Sequence, residues 1–203
     1  MNKKSRLGII YVCIGTVFLA VAIGIIIYNI YSNYMAEKNA KKALEQLQFS
    51  QLPIMNQEDY IPDYMLNENM EMIEQEIDGV KYIGVLEMPS LNITLPVITS
   101  CDSQKLKLGP CRYYGTVYKN NMIIAAHNYT KYFAKIKNLN YGDKVIFKDL
   151  DGNIFEYEVF EIESINQNDV ERMKSDNYDL TLFTCNYSGN ARITIRCKKI
   201  RIV

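Results

Sequence analysis

The chain opens on an uncharged apolar run, passes through a polar stretch, and from Asp78-Gly79 onward settles into short apolar runs separated by turn signals. No charge interrupts residues Leu7 to Tyr28, and at about 1.5 Å of rise per residue that length crosses a hydrocarbon core of about 30 Å. The run predicts a transmembrane helix over residues 7–28. Lys3, Lys4 and Arg6 lie on its amino side, which assigns residues 1–6 to the cytoplasm and the remainder to the outside of the cell. The rival reading is a removable signal peptide. Against it, the run is long and Tyr28-Asn-Ile-Tyr31 supplies no small-x-small cleavage site.

Beyond the span, Ala40, Leu44 and Leu47 recur at helical spacing and predict an amphipathic helix over 34–49. Pro53, Pro62 and an acidic, Met-rich stretch through Glu76 carry little periodicity, so residues 29–78 read as a stalk or linker with one short helix. About eight strand-like runs then follow, the pattern of an all-β barrel or sandwich. They are Val80 to Met88, Leu91 to Ile98, Tyr113 to Tyr118, Met122 to Ala126, Lys144 to Lys148, Ile154 to Ile165, Leu180 to Cys185 and Arg192 to Val203. In the sixth, Phe155, Tyr157 and Val159 alternate with glutamates until the phase slips at Phe160, which predicts a bulge. Asp149-Leu-Asp-Gly-Asn153 reads as a hairpin turn, and Asn166 to Asp179 as a loop with one helical turn.

Composition narrows this picture. With 203 residues, 48% of them hydrophobic and 23% charged, the chain has the balance of one well-formed core, placed here over 79–203. Sixteen Tyr, no Trp and many Ile and Val favour strands. The zero net charge hides the early basic cluster, since Glu37 is the first acidic residue. What remains is mildly acidic and has no electrostatic footprint for nucleic acid.

The candidate chemistry sits where two apolar strands end. His127, the only histidine, closes the run Met122 to Ala126, and Cys185 closes Leu180 to Thr184 just before the polar loop Asn186-Tyr-Ser-Gly-Asn190. If the two strands run parallel in one sheet, their carboxyl ends lie side by side. Arg192 and Arg196 share one face of the last strand, opposite Ile193, Ile195 and Cys197. Arg192 is nearer the loop, and its planar fork suits a substrate carbonyl or a developing oxyanion. A thiol, an imidazole and a guanidinium are the parts needed to attack an amide and hold a thioester. Asn128, Thr184 and Arg196 are the neighbouring candidates for substrate contact.

Of the other cysteines, Cys13 falls in the span and Cys197 alternates inward with Ile195. Cys101 and Cys111 either pair as a disulfide or stay free. One histidine and scattered cysteines give no zinc spacing, and no cofactor motif occurs. Asn-x-Ser/Thr sequons at Asn128 and Asn186 touch the candidate site, where a glycan would block access, so a bacterial surface fits better than a eukaryotic secretory route.

Thr181-Leu-Phe-Thr-Cys185 resembles the cysteine signature of the sortase family, and Ala125-Ala-His-Asn128, Arg192, Gly84-Val-Leu-Glu-Met-Pro89, Leu95-Pro-Val97 and Tyr141-Gly-Asp-Lys-Val145 resemble further segments of it. The resemblance covers roughly 79–203. It implies a closed eight-stranded β-barrel with short helices, behind a membrane anchor. It also implies a cysteine transpeptidase that cuts an LPxTG-like sorting signal near the carboxyl end of a secreted protein. The new carboxyl end is then joined to a peptidoglycan-precursor or pilin amine. In that scheme Cys185 is the nucleophile, His127 the general acid and later base, Arg192 the carbonyl stabiliser, and Thr184 part of the pocket floor. The competing readings are a hydrolytic cysteine protease or another cysteine enzyme, and a non-catalytic surface-binding module.

Overall fold

Among the described residues nine strands follow residue 74, and eight of them close on themselves. The computed structural model describes residues 3–50, 61–186 and 188–200; the sequence-based expectations for Pro53, Tyr187 and the end of the last strand at Val203 lie outside them. The strands are β1 (Gln75–Ile77), β2 (Val80–Met88), β3 (Ile93–Ile98), β4 (Cys111–Tyr114), β5 (Met122–Ala125), β6 (Lys144–Asp149), β7 (Ile154–Asn166), β8 (Leu180–Cys185) and β9 (Ala191–Lys199). Their order is β1-β2-β3-β4-β5-β8-β9-β7-β6, and β6 pairs back with β2. The ring β2 to β9 is therefore the expected eight-stranded barrel, with β1 added to β2 as a short antiparallel hairpin.

Closure at the β2–β6 seam requires a glycine. Gly84 has φ +155°, and a Cβ there would stand 2.2 Å from the Lys148 carbonyl oxygen and 2.8 Å from the Phe147 ring. The register of β2 on β3 shifts just before it, between Tyr82 and Gly84. Any side chain at position 84 would push the two backbones apart.

The barrel interior holds Ile83, Leu86, Val145, Phe147, Phe155, Tyr157, Leu180, Leu182, Ile195 and Cys197, all buried. The predicted bulge in β7 is present: the register on β9 shifts between Val159 and Glu161, and Phe160 is exposed. Its effect is to exchange faces. Phe155, Tyr157 and Val159 point inward before it, whereas Glu161, Glu163 and Ile165 share the outer face after it. The predicted helical turn in the long loop is α4 (Val170–Met173).

Helix α1 (Lys3–Gln46) is continuous, where the sequence pattern suggested a span ending at Tyr28 and a separate helix from 34. Residues 29–35 contain no Pro or Gly, so nothing stops the helix between the two segments. The described residues up to Met35 form one unit and those from Ala36 a second. In the first, Ile9, Val12, Phe18, Leu19, Ile26 and their neighbours are exposed, and Gly8–Gln46 is long and apolar enough to be a candidate membrane span. In the second, Ala36, Ala40, Ala43 and Leu47 form a buried stripe on the barrel. This segment and β1 therefore belong with the barrel rather than to a loose stalk. Three one-turn helices complete the second unit: α2 (Asp63–Leu66), α3 (Lys105–Leu108) and α4 (Val170–Met173).

Gly84→Ala is expected to lower stability by about 2 kcal/mol or more, because a fixed backbone oxygen occupies the space of the new methyl. Thermal unfolding of the full chain in detergent measures it; an unchanged midpoint would contradict the seam argument.

Candidate active site

Strand pairing brings the three candidate residues to one edge. β5 and β8 run parallel with Ala125 opposite Phe183, and that register, carried on by two residues, sets His127 beside Cys185. Two further bonds hold the strand ends together. Ala126 N donates to the Phe183 carbonyl at 3.2 Å, and Thr184 Oγ1 donates to the Ala126 carbonyl at 2.8 Å. On the other side, Cys185 is the direct antiparallel partner of Arg192 on β9, a position that puts side chains of one face about 5 Å apart. Because Leu182 and Thr184 point inward, Phe183 and Cys185 point out, and Arg192 lies opposite the inward Ile193 and Ile195.

These outward side chains line a cleft of about 350 Å³ that contains His127, Cys185 and Arg192. One wall is the loop with Cys101, Asp102 and Leu106; the other carries Asn166, Gln167, Asp169, Val170 and Met173. The floor is apolar: Ala125, Ile165, Met173 and Phe183 form a small cluster outside the barrel wall. Tyr113 meets Phe183 edge-on at 5.3 Å between ring centroids.

His127 stands partly buried, its ring 5.1 Å from that of Tyr129. Burial, and secondarily the Lys107 charge, hold its pKa below the ordinary imidazole value. Cys185 is a free, partly exposed thiol. Arg192 directs Nη1 to the carbonyls of Gly189 and Ala191, at 3.1 and 3.4 Å. In this state its fork closes its own hairpin loop, which Asn186 also ties through Asn190 at 2.9 Å.

The three supporting candidates are placed differently from expectation. Thr184 is buried and faces the barrel interior; it fastens β8 to β5 and is not part of the cleft floor. Asn128 is half-buried beside His127 but is not among the residues lining the cleft. Arg196 does not reach the cleft either. It is 0% exposed, donating from Nε to Glu163 at 2.8 Å and from Nη1 to the Met173 carbonyl at 2.8 Å and Thr181 Oγ1 at 3.0 Å. Nη2 donates to the Arg172 carbonyl, and Arg172 shares Glu163 from the other side. Face parity predicted the direction of Arg196 correctly, but Glu163, turned outward by the β7 bulge, captures it. Its work is to hold the carbonyl end of α4, and with it the second cleft wall.

The sequence reading left Cys101 and Cys111 open; they form a disulfide with Cα atoms 5.1 Å apart. It closes the loop that carries α3 and Lys107, and Cys101 at one end of the bridge borders the cleft. Phe183 was legible as part of the site from its parity with Cys185. Tyr113, Lys107 and the Cys101–Leu106 wall had no local signal, because only the barrel's closure carries them there. Among the described residues no group of three or more His, Cys, Asp or Glu is arranged to hold a metal ion.

A sortase-domain family profile matches residues 86–200, more than half of the chain. The chain is 25% identical over 194 residues to sortase A of Bacillus anthracis, covering 91% of this chain and 89% of that one. It is 27% identical over 115 residues to sortase D of Bacillus subtilis, covering 53% of this chain and 58% of that one. Among solved structures, sortase C of Clostridium perfringens SM101 superposes with a TM-score of 0.53 at 25% identity, over 85% of this chain and 91% of that one. A Clostridium perfringens sortase D5 transpeptidase gives 0.57 at 19% identity, over 83% and 99%, a likeness of fold alone. The fold is a closed sortase-type barrel that sets Cys185, His127 and Arg192 at the ends of three neighbouring strands. This chain belongs to the sortase family, a group of cysteine transpeptidases.

Two outcomes are expected. The single imidazole should titrate below the free-histidine midpoint, read from the one histidine signal in an NMR pH series; Lys107→Met should raise the midpoint only slightly, since burial is the larger cause. Arg196→Ala should cost about 3 kcal/mol or more in chemical denaturation, because Glu163 is left partly buried without its buried partner.

Proposed function

We propose that this chain is a membrane-anchored transpeptidase acting on an LPxTG-like sorting signal through a Cys185 thioester. The observation that carries the reading is the meeting of Cys185, His127 and Arg192 in one cleft at the ends of β5, β8 and β9, within a sortase-family chain. The Cys185 thiolate attacks the scissile carbonyl, and the imidazolium of His127 gives its proton to the leaving amine. Arg192 exchanges its loop carbonyls for the substrate carbonyl or oxyanion. The thioester keeps its acyl energy until an amine enters from the open side of the cleft. His127, now neutral, takes the proton of that amine as it attacks.

A depressed imidazole pKa makes the imidazolium scarce near neutral pH, so only a fraction of the enzyme is ready to react and turnover is slow. The apolar floor suits the branched side chain of a peptide, while Asp102 and Asp169 on the two walls suit an incoming cationic amine. The donor is a secreted protein with a C-terminal sorting signal; the acceptor is a peptidoglycan-precursor or pilin amine. Residues 7–28 span the cell membrane as a single pass with residues 1–6 cytoplasmic, following the basic residues at the amino end. The barrel then faces the outside. In this reading residues 79–203 are the catalytic domain, to which the docked segment from Ala36 and β1 add a brace.

The test is ligation. Full-length protein in detergent, given a panel of sorting-signal peptides and an excess of a wall-type amine, should form an amide product, and Cys185→Ala should lose about a thousandfold or more of that rate. Undiminished ligation by the variant would reject the mechanism, and release of free acid alone despite abundant amine would assign the chain to the hydrolytic proteases instead.

A further inference from the structure

Tyr132 lies outside the cleft, yet three segments around the site meet on it. It is 0% exposed. Its hydroxyl donates to the Leu108 carbonyl at 2.5 Å and stands 3.2 Å from the Ala36 carbonyl. Leu108 ends α3, inside the loop that the Cys101–Cys111 disulfide closes. Ala36 begins the buried stripe of α1. On its other side the Tyr132 ring packs 5.8 Å from that of Tyr129, which packs 5.1 Å from the His127 ring. The backbone repeats the connection: Tyr132 N donates to the Tyr129 carbonyl at 2.9 Å, and Phe133 N to the His127 carbonyl at 3.3 Å.

We infer that Tyr132 is a positioning residue for His127: its hydroxyl pins the disulfide-closed loop and the docked segment of α1 against the turn that carries the imidazole. A buried hydroxyl facing main-chain carbonyls from two distant segments fixes their separation, and removing it leaves the Leu108 carbonyl without that donor. The aromatic relay then passes the constraint to the ring of His127. The nearby Lys131–Glu37 pair joins the turn that carries His127 to α1 at 2.9 Å, but both side chains are about half exposed, so it contributes little. The role of His127 as the proton carrier rests on the function proposed above; its placement by Tyr132 does not.

Several charged or titratable groups face His127 from the surrounding elements. They are Tyr129 from its own turn, Lys107 from the disulfide-closed loop, Cys185 from β8 and Arg192 from β9, with Asp102 and Asp169 on the cleft walls. If the loop loosens, water reaches the ring and Lys107 withdraws. Both changes favour the imidazolium, so the titration midpoint must move upward.

The experiment uses full-length Tyr132→Phe in detergent, purified without a histidine tag, so that His127 gives the only labelled histidine signal. Its midpoint is expected to rise towards that of free imidazole, and kcat for ligation to fall about fivefold with KM within about twofold. Tyr64→Phe is the control. Tyr64 stacks on Tyr118 and Phe155 at the end of β7 remote from Asn166, and should change neither quantity. Should Tyr132→Phe not fold, reduction of the Cys101–Cys111 bridge in the wild-type chain releases the same loop from its other side and should raise the midpoint likewise. A midpoint that stays at the wild-type value in the folded variant, or on reduction where the variant does not fold, overturns the inference. If the wild-type chain ligates nothing, the proposed function fails while the titration still decides the role of Tyr132.

Discussion

The parallel pairing of β5 with β8 is the constraint on which everything else at the site depends. Parallel neighbours need a long crossover, and here the connection from Ala125 to Leu180 contains β6, β7 and α4. The chain must therefore build β6 and β7, two of the eight barrel strands, before His127 and Cys185 can meet. What holds the pair at the critical end is modest: the ladder from Met122 to Ala125, one main-chain bond beyond it, and the Thr184 hydroxyl on the Ala126 carbonyl. A register slip of one residue would turn either side chain to the opposite face. The buried, inward-facing Ile124 and Leu182 make that slip costly.

The same wall is apolar on both sides, which explains the composition of its strands. Inward residues fill the barrel and outward ones, Ala125 and Phe183, join Ile165 and Met173 beneath the cleft. Strands buried on both faces read as continuous apolar runs, as Met122 to Ala126 does, and Leu180 to Phe183 is broken only by Thr181, which bonds Arg196. The β7 bulge contributes to both sides of this arrangement. By turning Ile165 and Glu163 outward together, one irregular residue supplies a floor for the cleft and an anchor for Arg196. The two arginines of β9 thus start from equivalent positions and diverge because, among the described residues, Arg196 meets the Glu163 carboxylate and Arg192 the carbonyls of its own loop.

Much of this was legible in the chain because the signals were local. Short apolar runs between turn signals gave the strands of the ring, with ends differing by a few residues, and the lost phase at Phe160 marked the bulge. Cys185 and His127 stood out as polar groups at the ends of apolar runs. Other features depended on partners that no window of sequence contains. β1 has three residues, too few for alternation to register, and is a strand only because β2 lies beside it. Arg196 was assigned its face correctly from parity, but parity does not say whether a carbonyl, a carboxylate or open solvent waits there; Thr184, expected in the pocket floor from the resemblance, instead spends its hydroxyl on the Ala126 carbonyl. The disulfide required the two cysteines to be brought within bonding distance by the β3–β4 pairing at Ile98 and Cys111.

In the function proposed above, this construction sets binding against protonation. The surroundings that offer an extended peptide an apolar floor also partly bury His127 and hold its pKa down. A seated peptide excludes more water, so it presses the imidazole further towards its neutral form, while the thiolate opposite favours the cation. These two influences act through different distances. Desolvation acts on the ring alone, but the attraction between thiolate and imidazolium grows as they approach and as water leaves. The competent ion pair is therefore sensitive to small displacements of the ring, and a geometric restraint on the His127 turn matters more here than it would around a fully solvated imidazole.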